Sequence, residues 1–95
     1  MMAASITLRV LTEAGVAFED EAVSIIAPGE LGYLGFLANH APLVTTVQPG
    51  NFIWRRPNGE TQTVHVSAGL LEIAKNHLTI LTHSVERPRP SPQTD

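Results

Sequence analysis

The chain has 95 residues, no cysteine and a formal net charge of −3, which fits one small domain. These values exclude a disulfide framework and a thiolate metal site, and they disfavour nucleic-acid binding, which needs a concentrated basic patch. The N-terminus lacks the basic and apolar regions of a signal peptide, and no apolar run approaches the ~18 residues that a membrane helix needs. We therefore expect one domain with no direct insertion into a membrane.

The first third of the chain shows the alternation that is typical of β-strands. Ile6, Leu8 and Val10 occupy every second position, which predicts a strand with one buried face. Residues 12–15 predict a turn, and residues 16–18 form a short apolar segment. We expect the acidic run that follows, residues 19–21, to be a solvated edge.

The rest of the chain continues the pattern of short strands. The pair Asn58-Gly59 is a strong hairpin signal because both residue types tolerate positive φ. A second hairpin turn is predicted at residues 75–77. Strands are predicted on either side of these turns and before Pro-Gly pairs, at residues 23–27, 43–47, 52–55, 61–67, 70–73 and 78–81.

No segment combines helical spacing with helix caps. Many short strands, each followed by a turn signal, predict an all-β antiparallel sandwich or barrel. We place its boundary at residues 1–85. Residues 86–95 carry proline at alternate positions and no apolar anchor, which predicts a disordered tail. A proline-rich docking ligand is the alternative interpretation of this tail.

The segment from residue 28 to residue 50 has an unusual composition. It holds three prolines and four glycines, yet it stays apolar between them. Ordinary Pro/Gly-rich linkers are polar, so this composition favours a shaped surface that is kept for a partner.

Few residues could carry chemistry. The four histidines, His40, His65, His77 and His83, match no zinc motif, and separate surface histidines are the favoured interpretation. Ser67 lacks the Gly-x-Ser-x-Gly context of a nucleophile, although a triad that converges in space stays open.

Two other features have simple structural explanations. Gly29, Gly32 and Gly35 are three apart but precede no helix, so backbone turns explain them better than a phosphate loop. For Trp54, a core position is favoured over a sugar-binding platform. We predict no cofactor and no metal.

Taken together, several motifs make the chain resemble the N-terminal domain of the ε subunit of F-type ATP synthases, which is the δ subunit in mitochondria. The resemblance covers about residues 5–85. Its motifs are Ile-Thr-Leu-Arg-Val-Leu-Thr at 6–12, Val-Ser-Ile-Ile-Ala-Pro-Gly at 23–29, Gly-Tyr-Leu-Gly at 32–35, His-Ala-Pro-Leu at 40–43, Val-Gln-Pro-Gly at 47–50, Val-Ser-Ala-Gly-Leu-Leu-Glu-Ile at 66–73, Asn76 and Leu-Thr-Ile-Leu at 78–81.

The resemblance implies a flattened β-sandwich of about ten strands. It also implies a non-catalytic place in the central stalk, beside the γ subunit and on the membrane c-ring, where ion flow is coupled to ATP synthesis. This place is peripheral, on the cytoplasmic face of an energy-transducing membrane. The implied partner-binding residues are Leu31, Gly32, Tyr33, Leu34, Gly35 and His40.

The chain departs from the family pattern at three points. Tyr33 stands where an acidic residue is common, and Ala38-Asn39 replaces the usual pair before the histidine. A C-terminal helical hairpin does not follow, so we expect neither ATP binding nor inhibition by a C-terminal arm. The alternative function is a small β-sandwich hydrolase or a histidine-metal protein that uses Ser67 and His65.

Overall fold

The computed structural model describes residues 4–87, and in this range the chain forms ten strands and no helix. The strands build two five-stranded sheets that face each other, which confirms the predicted all-β sandwich. Sheet A has the order β2-β1-β9-β8-β5, and sheet B has the order β10-β7-β6-β3-β4. The strands are β1 (Ile6–Thr12), β2 (Gly15–Ala22), β3 (Ser24–Gly29), β4 (Gly32–Leu37), β5 (Leu43–Val47), β6 (Gly50–Arg55), β7 (Thr61–Val66), β8 (Gly69–Ala74), β9 (His77–Thr82) and β10 (Val85–Glu86).

Strands that a tight turn connects pair antiparallel, as the turn signals predict. The pair of β1 and β9 differs, because these strands run parallel from Thr7 opposite His77 to Leu11 opposite Leu81. Such a pair joins segments about seventy residues apart, so no local turn signal could indicate it.

The core lies between the sheets and consists of the alternate side chains that face inward from each strand. Its sixteen buried apolar residues include Phe36, Phe52 and Trp54. Trp54 is 4% exposed, which confirms the predicted core position. Thr82 is the buried polar residue of the described range, and its hydroxyl donates to the Ser67 carbonyl at 2.9 Å.

The two predicted hairpin turns are both present, with different geometries. Lys75 and Asn76 have φ of 51° and 61°, as a two-residue turn of the favoured hairpin type requires. At the other hairpin Gly59 has φ of 92°. Asn58 contributes there through its side chain, whose Oδ1 accepts the Glu60 N–H at 2.9 Å.

Two segments differ in part from the predictions. Residues 19–21 belong to β2, an edge strand of sheet A, where Glu19 and Glu21 are exposed as expected and Asp20 is half-buried. Within residues 28–50, β5 occupies the predicted residues 43–47, whereas β4 (Gly32–Leu37) is a strand that the sequence pattern did not predict. Apolar side chains in this segment follow strand alternation, which Pro and Gly at its turns obscured.

The predicted tail falls mostly outside the described residues, since residues 88–95 are not among them. Its first residue, Glu86, pairs with His65 as part of β10.

Candidate partner-binding surface

The predicted partner-binding residues lie mainly on the β3–β4 hairpin. Gly29 pairs with Gly32, so Glu30 and Leu31 form a two-residue turn between the strands. Gly32 has φ of 130°, a conformation that favours glycine. The side chain of Leu31 is fully exposed, so the most solvent-accessible point of the hairpin is an apolar side chain.

One face of the hairpin continues this apolar surface. Tyr33 and Leu37 point outward from β4 and are 62% and 65% exposed, and Ile26 of β3 is 41% exposed. Ile26 pairs with Gly35. We call these five residues, Ile26, Leu31, Tyr33, Gly35 and Leu37, the apolar hairpin surface.

Strand β4 is an edge strand of sheet B. Its sequence, Gly-Tyr-Leu-Gly-Phe-Leu, holds no charge and no proline. Exposed edge strands of monomeric proteins usually carry charges, prolines or bulges that prevent pairing with another chain. β4 carries none of these features, so its edge is open to pairing with another chain.

Gly35 supports the same interpretation. Its φ lies outside the left-handed region, and a Cβ added at this position would meet nothing within 4 Å. Within the described residues neither backbone conformation nor packing requires glycine here. A glycine inside a strand can instead mark a place where another chain approaches closely.

Leu34 differs from the other predicted residues of the hairpin. It is half-buried and packs against the core, beside Phe36, which is 2% exposed. A Cβ on Gly29 would lie 2.9 Å from Leu34 Cδ1, so glycine at that position makes room for the leucine. The side chain of Leu34 therefore holds the hairpin to the sandwich rather than extending from it.

His40 lies beyond the end of β4, in the connection that crosses from sheet B to sheet A. Its N–H donates to the Leu37 carbonyl at 3.2 Å, and its ring packs on Phe36 with centroids 5.0 Å apart. Nδ1 lies 2.6 Å from the Ala41 carbonyl oxygen, a contact that requires the proton on Nδ1. In the neutral ring, Nε2 is then free to accept a hydrogen bond from a partner.

Sequence reasoning missed Ile26 and Leu37 as parts of this surface. A signal was present, because Ile26 and Leu37 each lie in an apolar run. When β3 pairs with β4, alternate residues of these runs face solvent. The pairing itself had to be known, since it decides which alternate positions face outward.

A second exposed apolar group lies on the outer face of sheet A. Leu11, Leu81 and Leu70 are cross-strand neighbours in one row, and Val16 pairs with Leu11 at its end. Val16, Leu70 and Leu81 are each about half exposed, and Val44 is 64% exposed. This row is on the opposite side of the sandwich from the apolar hairpin surface.

The flank between β2 and β7 has a different character. Phe18 stacks on Trp54 with ring centroids 5.1 Å apart. Asp20 Oδ2 accepts hydrogen bonds from Trp54 Nε1 at 2.8 Å and from Arg56 Nε at 2.7 Å. We call these four residues, Phe18, Asp20, Trp54 and Arg56, the aromatic flank.

The charges of the aromatic flank are paired. Partial burial raises the pKa of Asp20, but hydrogen bonds from Arg56, Trp54 and the Glu21 N–H together outweigh it and hold that pKa below its ordinary value. The same contact raises the pKa of Arg56. A crevice of about 380 Å³ opens beside these residues, and the hydrogen-bond donors of Trp54 and Arg56 on its wall are already directed at Asp20.

The structure does not bring the candidate catalytic residues together. Ser67 Oγ lies 2.8 Å from Thr82 Oγ1 and accepts the Ser84 N–H at 2.9 Å. His65 is exposed on β7, and no hydrogen bond joins it to Ser67 among the described residues. The same residues contain no group of three or more histidine, aspartate or glutamate side chains that could hold a metal ion.

Comparison with known families gives a match over nearly the whole chain. Residues 5–88 match the model described as the ATP synthase, Delta/Epsilon chain, beta-sandwich domain. The epsilon chain of the ATP synthase of Moorella thermoacetica is 43% identical over 84 residues, which are 88% of this chain and 63% of that protein. The epsilon chain from Acidithiobacillus ferridurans is 41% identical over 87 residues, or 90% of this chain and 60% of that protein.

Solved structures show the same fold. A chain of the mitochondrial ATP synthase of Euglena gracilis superposes with a TM-score of 0.83 at 19% identity, covering 92% of this chain and 56% of that one. A chain from the central stalk and c-ring structure of the Tetrahymena thermophila enzyme gives 0.72 at 13% identity, covering 92% and 69%.

The chain therefore spans 60–63% of the length of these two curated relatives. No helix in the described part of the chain is long and apolar enough to cross a membrane.

Proposed function

Because the chain belongs to the delta/epsilon β-sandwich family of ATP synthases, we propose that it is a non-catalytic part of the central stalk of an F-type enzyme. In this role it links the γ subunit to the c-ring and couples ion flow to ATP synthesis. It would be peripheral, at the cytoplasmic face of the energy-transducing membrane. Its own chemistry is binding, without a cofactor, a metal or ATP.

The observation that carries this proposal is the apolar hairpin surface on an unprotected edge strand. Exposed leucine and tyrosine side chains are of the kind that dominate protein contacts, whereas monomers rarely leave them together on an uncharged strand. Tyr33 presents both a ring and a hydroxyl, which suits a junction between apolar and polar partners. The residues that we propose to contact partners are Leu31, Gly32, Tyr33, Gly35 and His40, with Leu34 supporting them from the core side.

The experiment compares two double variants of the full chain. Leu31→Asp with Tyr33→Asp places two charges on the apolar hairpin surface. Thr61→Asp with His65→Asp adds the same formal charge to exposed positions of β7. The hairpin positions are exposed, so both variants should keep their free energy of unfolding within about 0.5 kcal/mol per site.

Binding to the γ chain encoded in the same genome, alone and assembled with its c-ring, is then measured by titration. We expect the hairpin variant to bind at least about fivefold more weakly, equivalent to ~1 kcal/mol, while the β7 variant binds like the wild type. Equal affinities for the two variants would place the contact elsewhere, and loss confined to the ring-containing assembly would assign the hairpin to the ring.

A further inference from the structure

The connection that carries His40 is held by a side chain from a distant hairpin. Asn39 donates its N–H to Asn76 Oδ1 at 2.6 Å, and Asn76 Nδ2 donates to Asn39 Oδ1 at 3.2 Å. The two amides thus form a reciprocal pair across 37 positions of sequence. This pair connects the β4–β5 crossing to the β8–β9 turn.

Asn76 is itself firmly placed. It has φ of 61° in the two-residue turn after β8, and its carbonyl accepts the Thr7 N–H at 2.8 Å. Its backbone is thus tied to the start of β1, while its side chain reaches the residue before His40. One residue of sheet A therefore fixes a segment that leaves sheet B.

The local geometry of His40 depends on the conformation of Asn39. Asn39 has φ of 67°, a left-handed conformation that costs free energy for residues other than glycine and that asparagine tolerates better than most. This conformation closes the turn in which His40 donates to Leu37 and lets its ring reach Phe36. The amide pair stabilises that conformation from outside the turn.

From these contacts we infer that Asn76 is a positioning residue for His40, an inference that rests on the proposed partner-binding role of His40. Asn76 acts on His40 through its contact with Asn39. It holds the crossing so that Nδ1 of His40 faces the Ala41 carbonyl, which in the neutral ring leaves Nε2 as the acceptor. The functional group and the residue that orients it thus lie in two different connections, the β4–β5 crossing and the β8–β9 turn.

A matched pair of variants tests this inference in the full chain. Asn76→Gly keeps the left-handed backbone and removes the amide that holds Asn39. Lys75→Gly acts on the adjacent residue of the same turn, with φ of 51°, and Lys75 makes no side-chain hydrogen bond or ion pair among the described residues. Both changes introduce glycine at a position with left-handed backbone, so both relieve the same kind of backbone strain. The two variants then differ in which side chain is removed.

The first readout is the ¹⁵N shifts of the His40 ring, which report whether the proton is fixed on Nδ1. The second is affinity for the γ chain encoded in the same genome. We expect Asn76→Gly to lose the fixed tautomer and to bind at least about fivefold more weakly than Lys75→Gly, which keeps both properties of the wild type. Asn76→Asp keeps an acceptor for the Asn39 N–H and should fall between them.

The inference is overturned if Asn76→Gly leaves the His40 signals unchanged, or if its affinity equals that of Lys75→Gly. Failure of the underlying function has a different signature, because then the wild-type chain itself would not bind the γ chain. The ring shifts are measured without any partner and therefore test the positioning on their own.

Discussion

The aromatic flank and the apolar hairpin surface each lie at a sheet edge, but their side chains are satisfied in opposite ways. At the aromatic flank, the indole and carboxylate groups are paired with each other and Phe18 covers the ring of Trp54. At the apolar hairpin surface, a strand without charges leaves leucine and tyrosine side chains in solvent. The first arrangement stabilises the isolated domain, and the second does little for it.

This difference separates residues that maintain the fold from residues that are available for contact. A buried polar group must find a partner within the chain, because leaving it unpaired costs about 1–3 kcal/mol. An exposed apolar group needs no partner within the chain, and it becomes buried only when another molecule binds. Substitutions at the two flanks should therefore affect different measurements.

The largest expected effect is on the aromatic flank. Trp54→Ala removes a side chain that is 4% exposed and packs on both Phe18 and Phe52. Removing a buried tryptophan costs about 3–5 kcal/mol, a large part of the stability of a domain of this size. Urea unfolding followed by circular dichroism measures the loss. Tyr33→Ala is the control and should change the free energy of unfolding by less than about 0.5 kcal/mol. If both variants lost similar stability, the two flanks would not differ as the geometry indicates.

The next effect concerns Asp20, the acceptor that the indole and the guanidinium share. Asp20→Ala leaves the buried N–H of Trp54 without an acceptor, so we expect a loss of about 1–3 kcal/mol. Asp20→Asn retains an oxygen toward Trp54 and should lose less. Equilibrium unfolding at pH 7 ranks the three proteins, and an alanine variant as stable as the asparagine variant would show that the indole contact contributes nothing.

The same residue gives a pH dependence. The pKa of Asp20 is lowered in the folded state, so its ionised form stabilises the fold above the ordinary aspartate pKa, and this contribution is lost as pH falls through the folded value. The difference in unfolding free energy between wild type and Asp20→Asn should therefore be constant near neutrality and shrink below about pH 4. A difference that stays constant down to pH 2 would contradict the assigned role of the carboxylate.

Local sequence patterns predicted much of the fold, because strands, turns and the core position of Trp54 depend on alternation and turn chemistry within a few residues. They did not predict contacts between distant segments. The parallel pairing of β1 with β9, the bonds of Asp20 to Trp54 and Arg56, and the pair of Asn39 with Asn76 each join residues more than thirty positions apart. Asp20 in particular looks like part of an acidic run until its partner strand is known.

The candidate surface was predicted in part for the same reason. The composition around the hairpin indicated an apolar shape, and Leu31 and Tyr33 are indeed exposed. The inward direction of Leu34 follows from its pairing with Ala27, which the sequence alone did not show. Whether this surface binds a partner stays a prediction for the titrations proposed above.

The smallest expected change in stability is at Gly35, a glycine of an edge strand that contrasts with Gly69 in the interior of a sheet. At Gly69 an added Cβ would lie 2.0 Å from the Leu81 carbonyl oxygen, so glycine is required there by the close approach of β9. At Gly35 an added Cβ would meet nothing within 4 Å, and glycine only adds conformational entropy to the unfolded chain. Gly35→Ala should therefore raise the free energy of unfolding by about 0.5–1 kcal/mol, while Gly69→Ala lowers it.

If the apolar hairpin surface is a contact, Gly35→Ala will also weaken binding to the γ and c-ring assembly, so that stability and affinity change in opposite directions. A variant that is both more stable and as tightly bound would show that no partner approaches closely at this position.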